Sequence, residues 1–176
     1  MRHADAVQLL TSSELASPLP QVWADLGCGD GIFTRALASM LAPGSTVHAM
    51  DLDCDALRAL PAEQHGVAIR RWHGDVTELP WPFGPIDGLL LANLLHYVRD
   101  QSAFLRHCSA ALPEDGHLLI VEYDTDRANP WVPFPIGHAA LTQLCLTAGF
   151  ARVIGLGSRP SIYQPAPLYS VLVAKD

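Results

Sequence analysis

A chain of 176 residues that is 49% hydrophobic and 16% charged has the composition of one folded domain with a substantial core, which excludes disorder as its main character and disfavours two full domains. At this size roughly 70% of the surface of the unfolded chain can be buried, so neither disulfides nor a structural metal is needed for folding. Acidic residues outnumber basic ones 18 to 11, for a formal charge of −7, and the only lysine is Lys175; this balance argues against a nucleic-acid backbone as partner. The four cysteines, Cys28, Cys54, Cys108 and Cys145, are widely spaced without a Cys-x-x-Cys pair and read as reduced, mostly buried thiols. The N-terminus lacks the basic start and apolar run of a signal peptide, and the most apolar stretch, Ile86 to Leu95, is interrupted by Asp87, Gly88 and Asn93 and is too short to span a bilayer. A cytoplasmic protein with no membrane partner is the expectation.

No repeat or low-complexity tract divides the chain, so residues 1–176 read as one domain, with an N-terminal segment to residue 20 and a core from 21. Val22 to Leu26 is short, apolar and followed by glycines, as a buried strand ending in a turn should be. Phe33, Ala36, Leu37, Met40 and Leu41 recur at helical spacing until Pro43-Gly44. Thr46 to Met50 reads as a second strand ending at Asp51, and Asp53 as the cap of a short helix that Pro61 ends. Val67 to Trp72 is a third strand. The apolar run Ile86 to Ala92 suits a central strand covered on both faces, and Asp100 caps a helix whose buried stripe is Phe104, Leu105, Cys108, Ala111 and Leu112. His117 to Glu122 is a fifth strand, and Leu141, Leu144, Cys145 and Ala148 mark a helix stopped by Gly149. Arg152 to Leu156 and Tyr169 to Ala174 follow as strands with no helix between them. Strands alternating with helices imply an α/β, doubly wound, Rossmann-like sheet, mostly parallel, with a final hairpin.

Ligands of such sheets bind beyond the carboxyl ends of the strands, so the residues there carry the weight. After the first strand stands Asp25-Leu26-Gly27-Cys28-Gly29-Asp30-Gly31, where side-chain-free positions permit a tight turn and close approach of a ligand. Its Gly-x-Gly-x-Gly spacing departs from the Gly-x-Gly-x-x-Gly of dinucleotide sites, since position 32 is Ile. Asp51 ends the second strand, where a carboxylate can accept from ribose hydroxyls; taken singly, it reads as well as a solvated strand-end acid. Gly74-Asp75-Val76 follows the third strand and offers a carboxylate and a backbone N–H to a flat heterocycle, or else a turn. Ala92-Asn93-Leu94-Leu95-His96-Tyr97 and Glu122-Tyr123-Asp124 follow the next two strands.

From about Val22 to Ala174 this combination resembles the class I S-adenosylmethionine-dependent methyltransferases, most closely the small bacterial group acting mostly on small molecules. Asp25 to Gly31 looks like the family's first motif, Gly74-Asp75-Val76 like its adenine-side motif, and Ile86-Asp87-Gly88 through Asp100 and Leu112 to His117 like the blocks around its fourth strand and before its fifth. The resemblance implies seven strands with the last antiparallel, and S-adenosyl-L-methionine as cofactor. It implies that Gly27, Cys28, Gly29 and Gly31 form the loop beside the methionine part, with Asp25 helping to hold its amino group. It further implies that Asp51 binds the ribose, Leu52 and Val76 flank the adenine, Asp75 accepts from its amino group, and the backbone at Asn93 faces the methionine.

Methyl transfer from a sulfonium is an in-line displacement for which alignment supplies much of the acceleration, so no metal is required. A hydroxyl or protonated amine acceptor needs a base as well, and His96 at the site mouth is the candidate, although a histidine at a helix start also serves to cap or pack. Tyr97, Tyr123 and Trp131, the last among Pro130, Pro133 and Pro135, are candidates for the wall of a small-molecule acceptor pocket; aromatics there, like Trp81 and Phe83, equally close a core edge. The eight histidines include no His-Glu-x-x-His pair, so no metal site is expected. The sequence after strand four lacks the Asn-Pro-Pro-Tyr of amino-methylating enzymes of DNA. The first twenty residues are short for a helical cap over the acceptor, and a second copy of the chain, in a homodimer, is one way to complete it. The rival readings are a non-catalytic module that binds the same cofactor, and a nicotinamide oxidoreductase of the same topology, which the glycine spacing weakens.

Overall fold

The computed structural model describes residues 1–161 and 165–175. Its elements in chain order are α1 (His3–Leu10), a 3-10 turn at Ser13–Leu15, β1 (Val22–Leu26), α2 (Ile32–Ala38), β2 (Thr46–Asp51), α3 (Cys54–Ala59), β3 (Glu63–Gln64), β4 (Val67–His73), β5 (Gly88–Ala92), a 3-10 turn at Leu95–Tyr97, α4 (Gln101–Ala111), β6 (His117–Tyr123), α5 (His138–Thr147), β7 (Arg152–Arg159) and β8 (Leu168–Ala174). They form one eight-stranded sheet in the order β3-β4-β2-β1-β5-β6-β8-β7. Pairing is parallel from β4 to β6, while β8 runs antiparallel to both β6 and β7 and β3 antiparallel to β4. The expected doubly wound sheet with its closing hairpin is present, and the strand count of seven is corrected to eight. The additional strand is the two-residue β3, too short to show any alternation in sequence and defined only by its pairing with β4.

The central strand explains the two-sided architecture. In β5 successive side chains point to opposite faces, and Leu89, Leu90 and Leu91 are all fully buried, so both faces must be covered. Leu90 joins Trp23, Val47, Leu37 and the α1 residues Leu9 and Leu10 in the core of one face. Leu89 and Leu91 join Phe104, Leu105 and Cys108 of α4 and Leu141 and Cys145 of α5 on the other. The strand starts are tied by Asp87, whose carboxylate accepts from Val22 N at 2.7 Å while its own N–H donates to Val22 O at 2.7 Å.

The helix caps follow the sequence. Asp53 accepts from the N–H groups of Asp55 and Ala56, and Asp100 from that of Ala103. Two spans differ from the periodic reading. The pattern Phe33 to Leu41 is helical only to Ala38, beyond which Met40 and Leu41 both donate to Leu37 O in tightened turns that still bury Leu41. β7 runs on past Leu156 to Arg159 because a register shift between Gly155 and Gly157 lets the strand stay paired with β8. Helix α1 was not foreseen; its Asp5 is held by Arg2 at 3.0 Å and by Arg159 of β7 at 3.0 Å, which draws the helix against α2 and the sheet.

Trp23 is the largest of the fully buried side chains. Trp23→Ala is expected to lower unfolding stability by about 3–5 kcal/mol, read as the urea midpoint with an unchanged slope.

Candidate functional site

The strand order reverses at β1, whose neighbours β2 and β5 are reached by crossovers leading away in opposite directions. Beyond the carboxyl ends of β1, β2, β4 and β5 lies one cavity of about 870 Å³, where a ligand of a doubly wound sheet belongs. Gly27, Cys28 and Gly29 line it from the loop after β1, Asp51 and Leu52 from the end of β2, Asp75 and Val76 from the end of β4, and Asn93 and Tyr97 from the turn after β5.

The glycine loop is shaped by its neighbours. Gly27 has φ +71°, and a Cβ there would stand 2.7 Å from the Leu94 side chain, so only glycine fits. Gly27 and Cys28 both donate to Met50 O, at 2.8 and 3.1 Å, and Gly29 N donates to the Asp51 carboxylate at 2.7 Å. The other Asp51 oxygen accepts from Asp53 N at 2.8 Å. Asp51 therefore fixes the loop and the start of α3 at once while lining the cavity itself. Gly31 does not line the cavity: it is the left-handed residue that opens α2, pressed against Leu60.

Asp25 is also absent from the wall. It is fully buried one layer beneath the loop, with Oδ2 accepting from the Thr34 hydroxyl at 2.6 Å and Oδ1 without a partner. Burial pushes its carboxyl up to about 7, the Thr34 hydrogen bond opposes this, and the charge of Asp51 adds to it. Asn93, held at φ +56° with its N–H on Val121 O at 2.8 Å, has a buried Oδ1 that is likewise unpartnered. These two are the only sealed, unpartnered side-chain polar atoms among the described residues. Burial and the charges of Asp25 and Asp51 push the Cys28 thiol far up, so it stays neutral and is no nucleophile. Asp75 turns one oxygen to the N–H and hydroxyl of Thr77, at 2.8 and 2.7 Å.

His96 does not line the cavity either. It is 2% exposed, its Nδ1 lies 2.6 Å from Glu122 Oε2, and its backbone N–H donates to Glu122 Oε1 at 3.3 Å. The rings of Tyr97 and Tyr123 pack on it with centroids at 4.4 and 5.8 Å. Of the three expected acceptor-wall residues, Tyr97 is on the wall and half-exposed, Tyr123 is buried behind His96, and Trp131 stands out in solvent at 75% exposure, clear of the cavity. The segment carrying Trp131 is anchored nonetheless: Phe134 N donates to His96 O at 2.9 Å, and Gln101 Nε2 donates to both Leu95 O and Phe134 O. Asp124 closes its base by accepting from His138 N at the start of α5.

Sequence reasoning missed the far wall, formed by Val98, Arg99, Ala103, Phe104 and His107. Phe104 belongs to the buried stripe of α4 as well as to this wall, and Arg99 is held over the Phe134 ring at 5.3 Å. No residue of α1 reaches the cavity. Among the described residues no helix is long and apolar enough to cross a membrane.

A family model described as a methyltransferase domain matches residues 24–120. A probable S-adenosylmethionine-dependent methyltransferase of Mycolicibacterium smegmatis is 28% identical over 134 residues, which is 72% of this chain and 50% of that protein. An uncharacterized methyltransferase of Mycobacterium tuberculosis is 28% identical over 101 residues, 57% of this chain and 50% of the relative. The chain thus spans about half the length of the curated relatives it matches. Among solved structures, the N-terminal domain of EvdMO1 with SAH bound superposes with a TM-score of 0.70 at 21% identity, covering 99% of this chain and 81% of that one. The YcgJ protein of Bacillus subtilis gives 0.72 at 13% identity over 99% of this chain and 100% of the other. At these identities the structures establish a shared fold.

The buried Asp25 carboxyl makes stability depend on pH. Its folded value lies above the unfolded one, so the folded protein holds the extra proton, and stability falls as pH rises from about 4 to about 7. Asp25→Asn, neutral throughout, is expected to flatten that fall, with the largest gain over the parent above pH 7, read as urea midpoints at pH 5 and pH 8.

Proposed function

The chain belongs to the methyltransferase-domain family, and from that membership and the chemistry of the cavity we propose that it transfers the methyl group of S-adenosyl-L-methionine to the oxygen, nitrogen or carbon of a small molecule. The observation that carries the cofactor assignment is the cavity wall itself, where the Gly27–Gly29 loop meets two acids, Asp51 and Asp75, at the ends of the adjacent strands β2 and β4. Asp25 Oδ1 and Asn93 Oδ1 lie buried and unpartnered next to that loop, and an ammonium group would reach them only if the backbone covering them shifted. The remaining residues fit the rest of the same molecule. Asp51 suits ribose hydroxyls, while Leu52 and Val76 suit the two faces of a purine whose exocyclic amine donates to Asp75. Gly27, Cys28 and Gly29 suit the methionine chain, with Gly31 setting the start of α2 behind them.

When bound, this cofactor supplies a methyl group on a sulfonium, an already activated leaving group. The chain's own residues then bind, orient and exclude water: the Gly27–Gly29 loop fixes one end, and Leu94 and Tyr97 flank the space left for the acceptor. A cavity of about 870 Å³ holds a cofactor with a small acceptor beside it. The acidic balance of the chain supports a small molecule over a nucleic acid. No residue of α1 stands on the cavity wall, so in this reading any cover over the acceptor comes from elsewhere, such as a second copy of the chain.

Calorimetric titration with S-adenosylmethionine, S-adenosylhomocysteine and NAD is expected to give saturable binding of the first two alone. Acceptor-dependent formation of S-adenosylhomocysteine separates an enzyme from a binding module. Asp51→Ala removes the acceptor for Gly29 N and Asp53 N as well as the ribose contact, so cofactor affinity is expected to fall at least about tenfold and the melting temperature to drop with it. Unchanged affinity would contradict the ribose role.

A further inference from the structure

Among the described residues that line the cavity, Arg99 is the only one with a permanent positive charge, and His107 is the only other that can carry one. Four acids share the lining, Asp30, Asp51, Asp75 and Asp100. Each of these has a visible task. Asp51 holds Gly29 N and Asp53 N, Asp75 holds Thr77, Asp30 accepts from Ile32 N at 3.1 Å, and Asp100 accepts from Ala103 N at 2.9 Å. Nothing comparable accounts for Arg99. Elsewhere Arg2, Arg58, Arg152 and Arg159 are each paired with a carboxylate, whereas the exposed Arg99 side chain makes no hydrogen bond or ion pair with any described residue, its neighbour Asp100 included.

What holds Arg99 is the Phe134 ring, whose centroid lies 5.3 Å from the guanidinium carbon. That ring is a firm support, because Phe134 N donates to His96 O at 2.9 Å and Phe134 O accepts from Gln101 Nε2 at 2.8 Å. A ring face attracts the charge of a guanidinium without taking up its N–H donors in conventional hydrogen bonds, so the donors stay available. Part of the rotamer freedom that an arginine loses on gripping a ligand is thereby given up in advance. Val98, Ala103 and Phe104 beside it on the wall are apolar. The strand before it, β5, is two places from β2 and three from β4 in the sheet, about 10 and 14 Å at the usual spacing, which sets the strand ends bearing Asp51 and Asp75 well apart from the end that leads to Arg99.

We propose that the acceptor is a carboxylic acid with an apolar body, and that Arg99 selects it by receiving the carboxylate on its unused N–H donors. This rests on the methyltransferase reading above and names the acceptor class for the same cavity. The planar fork of a guanidinium matches the two oxygens of a carboxylate. One arginine amid four acids suits a single negative charge, since a phosphate dianion would meet the same fork against about twice the repulsion from the acids. Val98, Ala103 and Phe104 then take the apolar body. The cofactor also carries a carboxylate, at its methionine end, but that end is assigned to the Gly27–Gly29 loop, which leaves Arg99 to the acceptor.

The test titrates the full chain, saturated with S-adenosylhomocysteine, with benzoate, with its uncharged counterpart benzamide and with phenyl phosphate. Benzoate is expected to bind at least about tenfold more tightly than benzamide, and Arg99→Gln to abolish that preference. Arg99→Lys, which keeps the charge without the fork, is expected to retain part of it. Both variants are expected to keep S-adenosylhomocysteine affinity within about twofold and the melting temperature nearly unchanged, because Arg99 is exposed. Equal binding of benzoate and benzamide, or no binding of either, overturns the proposal, as does a preference that survives in Arg99→Gln or tighter binding of phenyl phosphate than of benzoate. A loss of about tenfold or more in S-adenosylhomocysteine affinity in Arg99→Gln would assign Arg99 to the cofactor's own carboxylate, and that also overturns it. With methyl-labelled S-adenosylmethionine, 4-hydroxybenzoate is expected to be methylated faster than 4-hydroxybenzamide, with Arg99→Gln raising KM rather than lowering kcat. The reverse order overturns the proposal, and where neither is methylated the binding preference decides. Failure of the methyltransferase reading shows separately, as no saturable binding of S-adenosylhomocysteine by the wild-type protein, and the proposal then falls with it.

Discussion

The 2.7 Å hydrogen bond from Gly29 N to the Asp51 carboxylate is the interaction on which the rest of the site depends. Loops at strand ends are free to move unless something outside them holds them, and a glycine loop is the most mobile of all. Here the acid at the end of one strand holds the loop after its neighbour. The same device recurs along the sheet. Asp25 is tied to Thr34 of α2, Glu122 grips the turn after β5, and Asp124 holds the start of α5. Charge-assisted hydrogen bonds to backbone N–H groups are stronger than neutral ones, so the Asp51, Glu122 and Asp124 contacts each fix a segment before any ligand arrives.

That arrangement explains why some of the site was legible in the sequence and some was not. Asp51 stands out as an acid directly after an apolar strand, and Gly27 as one of a cluster, because both signals are local. Their bond is not local. It requires β1 and β2 to pair with Leu26 opposite Met50, which no spacing in the sequence announces. His96 and Glu122 meet for the same reason, since they are 26 residues apart and come together only because β5 and β6 run parallel with Ala92 opposite Val121. The sequence therefore offered His96 as a group at the mouth of the site, whereas pairing draws it behind the wall and leaves Tyr97 in front.

The core elements were legible because burial imposes period: β5 is apolar without a break and α4 repeats every third or fourth residue, as two-sided and one-sided burial demand. Helix α1 escaped notice because its first turn carries a buried acid, Asp5, preceded by Arg2 rather than by a usual cap residue. The arginine that completes its neutralisation, Arg159, comes from the opposite end of the chain. Trp131 misled in the other direction. A tryptophan among three prolines suggests a lining aromatic, but the Asn129 side chain accepts from Trp131 N and turns the segment so that the indole projects to solvent.

Charge is distributed unevenly around the cavity, and the proposed reaction gives this a meaning. Asp51 and Asp75 stand at the ends of β2 and β4, on the side assigned to ribose and adenine, where their negative charge attracts a cationic ligand. Of the rest of the lining, Gly27, Asn93, Leu94 and Tyr97 carry no charge and the Cys28 thiol is held neutral by burial and by its acidic neighbours, while Asp30, Arg99 and Asp100 add two acids and a base. A carboxylate beside a sulfonium would stabilise the reactant more than a transition state in which that positive charge is already dispersing, and so would slow transfer. On the proposed reading the acids at the ends of β2 and β4, which draw the cofactor in, are separate from the uncharged Gly27, Asn93, Leu94 and Tyr97. The same separation favours turnover, because once the sulfonium charge is gone the acidic side of the cavity no longer holds the product as strongly as it held the reactant.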